Sequence, residues 1–149
     1  MKLYFETTVA ASYETVRENF NEKLFSSLKP PGIGFGIKRF DGVKKGDEIH
    51  LEIQLPSLLS SRWVSVVTHE EGNAKVWSFV DEGKVLPWPL SRWRHAHWVV
   101  KLNEKHSRII DDITFECSPG FLGPVVRPIL WTVFAVRPGL YKKFFKDLL

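Results

Sequence analysis

From Gly34 to Cys117 the chain offers strand after strand and almost no helix, and this run limits the fold more than any other feature. "EIHLEIQL" (48–55) alternates strictly, placing Ile49, Leu51, Ile53 and Leu55 on one face, the period-two pattern of a half-buried strand. "GFGIKRF" (34–40), "RWVSVVTHE" (62–70), "AKVWSFVDE" (74–82), "RWRHAHWVVKL" (92–102) and "RIIDDITFEC" (108–117) are rich in β-branched and aromatic residues. "DGVKKGD", "EGN" and "NEKHS" supply turn chemistry between them, with residues that tolerate positive φ. "PSLLSS" (56–61) and "GKVLPWPLS" (83–91) read as longer loops. Strands joined by short turns form an antiparallel meander, which can keep one face wet and the other dry.

The ends of the chain supply the helices. "KLYFETTVAA" (2–11) reads as a strand, and "SYETVRENF" (12–20) as a short helix with Ser12 as N-cap and Tyr13, Val16 and Phe20 at helical spacing. Leu24, Phe25 and Leu28 extend the stripe through a second short helix, which "KPPG" terminates because proline cannot continue a helix. In the segment 121–149, Ile129, Val133, Val136 and Leu140 recur near helical spacing, followed by Phe144 and Leu148. Pro128 and Pro138 are expected to kink or divide this helix, and two helices are the alternative, since Pro138-Gly139 is a breaker pair. The apolar stripe of such a helix must be buried, and the dry face of a curved sheet is the surface available. The expectation is one α+β domain over the 149 residues: a curved antiparallel sheet of six to seven strands around a long C-terminal helix, with two short helices after the first strand.

Chemistry concentrates in "SRWRHAHWVV" (91–100), where Trp93, His95 and His97 share one face of a strand. Such a pair can hold a metal, exchange protons, line a ligand pocket or fill a core. A metal needs a third and usually a fourth ligand; His69, Asp81 and Asp111 are the candidates, and sequence alone does not bring them together. A cupin would carry an acid shortly after the pair, where Lys101 and Leu102 stand instead, so neither metal nor cofactor is expected. Asp111 shares a face with Ile109, Ile113, Phe115 and Cys117, while Ile110, Asp112, Thr114 and Glu116 form the wetter side. A carboxylate on an apolar face must be paired or neutralised. A histidine or arginine of the adjacent strand could supply that pairing, and an Asp111–His contact is predicted. The orientation of 92–102 stays open: if the histidines face inward, Trp98 and Val100 face outward, and a β-bulge would satisfy both halves.

Other signals are weaker. The net charge of +4 is spread without a block of like charges, unlike the concentrated stripe that binds nucleic acid. Cys117 is the single cysteine, which excludes an intramolecular disulfide and suits a reducing compartment. The N-terminus lacks the apolar run of a signal peptide, and no uncharged apolar run long enough to span a bilayer is seen; a cytoplasmic location is expected. "PPGIGFG" opens a strand rather than a helix, so it cannot cradle a phosphate. Arg62 is read as a surface residue, with a ligand carboxylate as the alternative partner. Trp88 in "VLPWPL" rims the pocket mouth, meets a partner or packs on the sheet. Lys142, Lys143 and Lys146 form a solvated face that allows at most weak contact with an anionic membrane.

"KPPGIGFGI", "SRWVSVVTHEE", "FVDEG", "WRHAHW", "IIDDITFE" and "SPGFLGP" together resemble the START-like, Bet v 1-like (SRPBCC) superfamily, and within it the small bacterial ligand-binding group. The resemblance covers essentially the whole chain; "RPGLYKKFF" departs from it, because Pro138-Gly139 falls where that group's helix runs uninterrupted. The resemblance implies the helix-grip fold with an apolar cavity between sheet and helix. It implies a small hydrophobic ligand (lipid-, polyketide- or aromatic-like) touched by Trp63, Trp77, Phe79, Trp93, His95, His97, Asp111, Phe115, Leu130 and Phe134. A minority of such proteins catalyse cyclisation or dehydration, and His95 with Asp111 would then be the general acid/base pair. A monomer or homodimer is expected.

Overall fold

The computed structural model describes residues 1–54 and 60–149. Leu55, placed on one face with Ile49, Leu51 and Ile53, and most of the "PSLLSS" loop lie outside the described residues. Seven antiparallel strands form one sheet in the order β1-β7-β6-β5-β4-β3-β2. They are β1 (Lys2–Val9), β2 (Gly34–Phe40), β3 (Glu48–Gln54), β4 (Ser60–Gly72), β5 (Val76–Val85), β6 (Leu90–Lys101) and β7 (Ser107–Cys117). Two short helices, α1 (Tyr13–Glu18) and α2 (Glu22–Ser27), follow β1. A single 3-10 turn (Gly120–Leu122) leads into α3 (Gly123–Ala135) and α4 (Arg137–Leu148). This is the helix-grip architecture.

Local chemistry explains the boundaries. The Ser12 hydroxyl accepts from the Thr15 amide at 3.1 Å, and Asn21 Oδ1 accepts from the Leu24 amide at 3.2 Å, so each short helix opens on a side-chain cap. The β4–β5 turn falls two residues later than expected, at 73–75 rather than 71–73. β4 runs through Gly72, and Asn73 Oδ1 takes the Lys75 and Val76 amides at 2.8 and 3.0 Å. The loop expected at 83–91 contracts to 86–89, because Gly83 and Val85 continue pairing with β4 beyond a register shift. Ser60 and Ser61 belong to β4 rather than to a loop.

The C-terminal helix divides at Val136, which caps α3 and opens α4. Pro138 stands in the first turn of α4, where a missing N–H breaks no intrahelical bond. The divided reading of this helix is therefore the one the structure adopts. The run 120–148 is long and apolar enough to cross a membrane by length and composition. Here Leu130, Phe134, Tyr141 and Phe145 are buried, and α4 packs along β1. The far side of α3 leaves Val125, Ile129 and Trp131 exposed.

Candidate functional site

Strand β6 settles the open orientation. Trp93, His95, His97 and Val99 are buried, Trp98 and Val100 are half-buried on the other face, and pairing with β7 is unbroken from Arg92 to Lys101. No bulge is needed. On β7, Ile109, Asp111, Ile113 and Phe115 are buried and alternate with the wetter side chains.

His95 lies directly opposite Asp81 on β5, and His97 directly opposite Asp111 on β7. The hydrogen bonds run across these pairs. His95 Nε2 meets Asp111 Oδ1 at 2.8 Å, and His97 Nε2 meets Asp81 Oδ2 at 2.8 Å. The directly opposite contacts are longer: His95 Nδ1 to Asp81 Oδ2 is 4.0 Å, and His97 Nδ1 to Asp111 Oδ1 is 3.6 Å. Leaning past each other, the rings stack at 3.7 Å. Phe79 covers the far face of His97 at 4.2 Å, and Phe20 and Phe25 approach its edges. All four polar residues are buried, His97 to 1% exposure. From α4, Arg137 Nη1 reaches Asp111 Oδ1 at 3.3 Å and the Tyr141 hydroxyl reaches it at 3.4 Å. The Arg137 guanidinium also lies 4.4 Å from the Phe134 ring centroid, an attractive cation–π distance.

Burial and charge oppose each other here. Dryness alone would raise the carboxyl pKa of Asp111, but the His95 hydrogen bond and the charge of Arg137 outweigh it and hold the group well below the usual range. Asp81 is also depressed: burial again pushes it up, and the hydrogen bond from His97 and the neighbouring imidazoles push it further down. Desolvation, then the charge of His95, lowers His97 to about 4 against the pull of Asp81. Burial raises the Tyr141 hydroxyl, with Asp111 adding to the effect.

The structure thus joins His95, His97, Asp81 and Asp111. The exposed His69 is left outside, bonding Thr68 instead. Among the expected ligand contacts, Trp93, Phe115, Leu130 and Phe134 form one cluster, with Trp63 packed against it. Trp63 stands edge-on to Trp93 at 4.7 Å. Trp77 and Phe79 instead belong to the core under α1 and α2, where the Trp77 indole N–H donates to Glu70 at 2.7 Å. Two recesses lie along the C-terminal helix, and none of the ten residues lines either of them. One of about 240 Å³ lies between Pro30, Pro31 and Ile33 and Thr132, Val133 and Val136 of α3. The other, about 460 Å³, lies between Lys23 and Ser27 and Leu140, Lys143, Phe144, Asp147 and Leu148. Val133 both lines the first recess and packs on the Trp93 cluster. Arg62 and Trp88 are exposed.

Sequence reasoning missed Arg137 and Tyr141. Their signal was spacing: four residues apart on a helix, they share a face, and that face meets the one carboxylate on the apolar side of β7.

No family model and no curated protein matches the chain. Solved structures match its fold. A START superfamily protein from Mycobacterium smegmatis superposes with a TM-score of 0.73 at 16% identity, over 99% of both chains. Norcoclaurine synthase from Thalictrum flavum, solved with dopamine and hydroxybenzaldehyde, gives 0.67 at 17% identity, over 99% of this chain and 87% of that one. The Zhui aromatase/cyclase from a Streptomyces species gives 0.69 at 12% identity, over 98% and 93%.

Proposed function

We propose that the chain binds a small hydrophobic molecule (lipid-, polyketide- or aromatic-like) between the sheet and the C-terminal helix. One observation carries this reading. Phe35, Ile37, Leu51, Ile53 and Trp63 are only half-buried, although Leu51 and Ile53 share a strand face with buried Ile49. Through Leu130 and Phe134, α3 packs on Leu3, Trp93, Ile113 and Phe115 of β1, β6 and β7, so among the described residues the β2–β3 end of the sheet keeps half-buried apolar surface near the recess at Val133. Covering such surface is worth roughly 25 cal/mol per Å². At about 240 Å³ the recess is smaller than the roughly 300–1,000 Å³ of a ligand pocket. A ligand therefore displaces Val133 or Ile33 as it enters, reaching the wall of Trp63, Trp93, Phe115, Leu130 and Phe134. His95, His97 and Asp111 hold that wall from behind.

The second reading is a cyclase or dehydratase that uses His95 and Asp111 as acid and base. It is favoured by their 2.8 Å contact and by the likeness to an aromatase/cyclase fold. The geometry weighs against it. Both His95 nitrogens face carboxylates, at 2.8 and 4.0 Å, and neither is turned toward a substrate, as a general base must be. Both readings accord with a single-domain protein, monomer or homodimer, that works in the cytoplasm without nucleic acid.

Native mass spectrometry of the protein as purified from cells tests the binding reading. A discrete mass increment, lost on denaturation, is expected, with affinity reduced by Trp63→Ala. An apo mass alone, together with no quenching of tryptophan fluorescence by fatty acids or polycyclic phenols, would refute it.

A further inference from the structure

We infer that Asp81, His95 and His97 form a divalent-metal site of the two-histidine, one-carboxylate kind, with Asp111 as the outer acceptor that orients both imidazoles. The inference is independent of the hydrophobic-ligand reading. Asp81, His95 and His97 each offer a donor atom within 4.8 Å of the others', and Asp81 Oδ2 stands 4.0 Å from His95 Nδ1 and 2.8 Å from His97 Nε2. Around a tetrahedral Zn²⁺ with bonds of about 2.0–2.2 Å, ligand atoms stand roughly 3.3–3.6 Å apart. The observed 2.8 Å from Asp81 to His97 and 4.0 Å from Asp81 to His95 bracket that spacing. Shifts of under about 1 Å complete the sphere.

A second observation points the same way. His97 Nδ1 is buried and has no hydrogen-bond partner. While Nε2–H donates to Asp81, the bare Nδ1 lone pair faces Asp111 Oδ1 at 3.6 Å, acceptor against anion. A metal on Nε2 reverses this. The Nε2 proton leaves and the ring is reprotonated at Nδ1, so the neutral imidazole keeps one proton and now donates to Asp111. His95 already has that form, since its Nε2 meets Asp111 at 2.8 Å and leaves Nδ1 free toward Asp81. One carboxylate then holds the outer nitrogens of both imidazoles, as the outer partners of metal-bound histidines do. Arg137 and Tyr141 fix that carboxylate in turn.

Charge adds a third argument. Among the described residues, no lysine or arginine pairs with Asp81, while Arg137 pairs with Asp111. The buried anion on β5 therefore has only the two imidazoles and the neutral Ser65 hydroxyl beside it, and a cation between it and the imidazoles supplies the charge. Two nitrogens and one oxygen suit Zn²⁺ or Fe²⁺ better than Ca²⁺ or Mg²⁺. Three protein ligands leave a fourth position for water or a ligand oxygen.

The test uses the full chain, stripped with chelator and freed of bound lipid, titrated with Zn²⁺ alone. Calorimetry is expected to give one saturable equivalent, reduced at least about tenfold by Asp111→Asn and abolished by Asp81→Asn. Imidazole ¹⁵N spectra of the unsubstituted chain are expected to move the His97 proton from Nε2 to Nδ1 on Zn²⁺ addition. No saturable binding overturns the site, as does binding that survives Asp81→Asn combined with His97→Gln, which would mark other histidines such as His50. If the substituted chains do not fold, the tautomer decides: a His97 proton that stays on Nε2 at saturation ends the proposal.

Discussion

Replacing Asp111 with alanine removes the oxygen on which the inner network converges. Asp111 Oδ1 takes His95 at 2.8 Å, Arg137 at 3.3 Å and Tyr141 at 3.4 Å. The short bond to His95 contributes about 1.5–3 kcal/mol as a hydrogen bond to a charged group, and the two longer ones contribute less. Losing one member of a buried ionic group costs about 3–5 kcal/mol, because the remaining charges stay dry and unpaired. Arg137 is the member stranded here, its side chain 14% exposed. Domains of this kind hold about 5–15 kcal/mol in all, so Asp111→Ala removes a large share. Asp111→Asn keeps the shape and the acceptor but not the charge. Since charge-assisted bonds are about twice as strong as neutral ones, it loses about half as much. With a urea slope of about 1–3 kcal/mol per molar, the alanine variant's midpoint falls by about 2 M. Adding Arg137→Met to Asp111→Asn removes the stranded cation and recovers part of the loss. Equilibrium urea unfolding at neutral pH measures all three. The reasoning is refuted if alanine costs less than about 1 kcal/mol, or if Arg137→Met deepens the loss in the asparagine background.

Acid acts on the same network. His97 is held at about 4 when folded against 6.5 for the free side chain, so the unfolded chain binds the extra proton between those values. Stability falls with pH across that window, by at most about 1.4 kcal/mol per unit. Asp81 and Asp111, depressed when folded, continue the loss below their ordinary value of 3.8; a Tm unchanged between about pH 7 and pH 4.5 contradicts this. Ser12→Ala removes the α1 cap and costs about 1 kcal/mol in the same urea assay, and Ser12→Gly costs less. Gly42, in the β2–β3 turn, has φ +143°, and an added Cβ would stand 2.5 Å from Asp47 Oδ2. Gly42→Ala is expected to cost about 1–3 kcal/mol, and a neutral result would show that the turn relaxes.

Much of this fold was legible in the chain because alternation and turn chemistry are local. The meander, the two capped helices and the inward alternation of β7 follow from residues a few positions apart. Local signals misplaced strand ends: the loop expected at 83–91 lost one flank to pairing with β4 and the other to pairing with β7, partners no nearby residue reveals. The Asp111–His contact was also readable, since an acid on an apolar face needs a partner and one hairpin joins the two strands.

Distance in sequence hid the rest. Periodicity put His95 and His97 on one face without saying which, and sheet curvature around the C-terminal helix chose inward. Asp81 could be named as a candidate but not placed, because the register that sets it opposite His95 depends on the true length of the β5–β6 loop, which local signals did not give. That each imidazole bonds the carboxylate opposite its neighbour depends on ring tilt within a packed layer, where Phe79, Phe20 and Phe25 leave one stacked arrangement. The reach of Arg137 and Tyr141 to Asp111 depends on the path of α4 beyond the break at Val136. The sequence alone determined which faces are apolar and where the chain turns, since those preferences belong to neighbouring residues. Tertiary structure decided which charges meet, because burial lets a few ångströms of packing outweigh the cost of drying them.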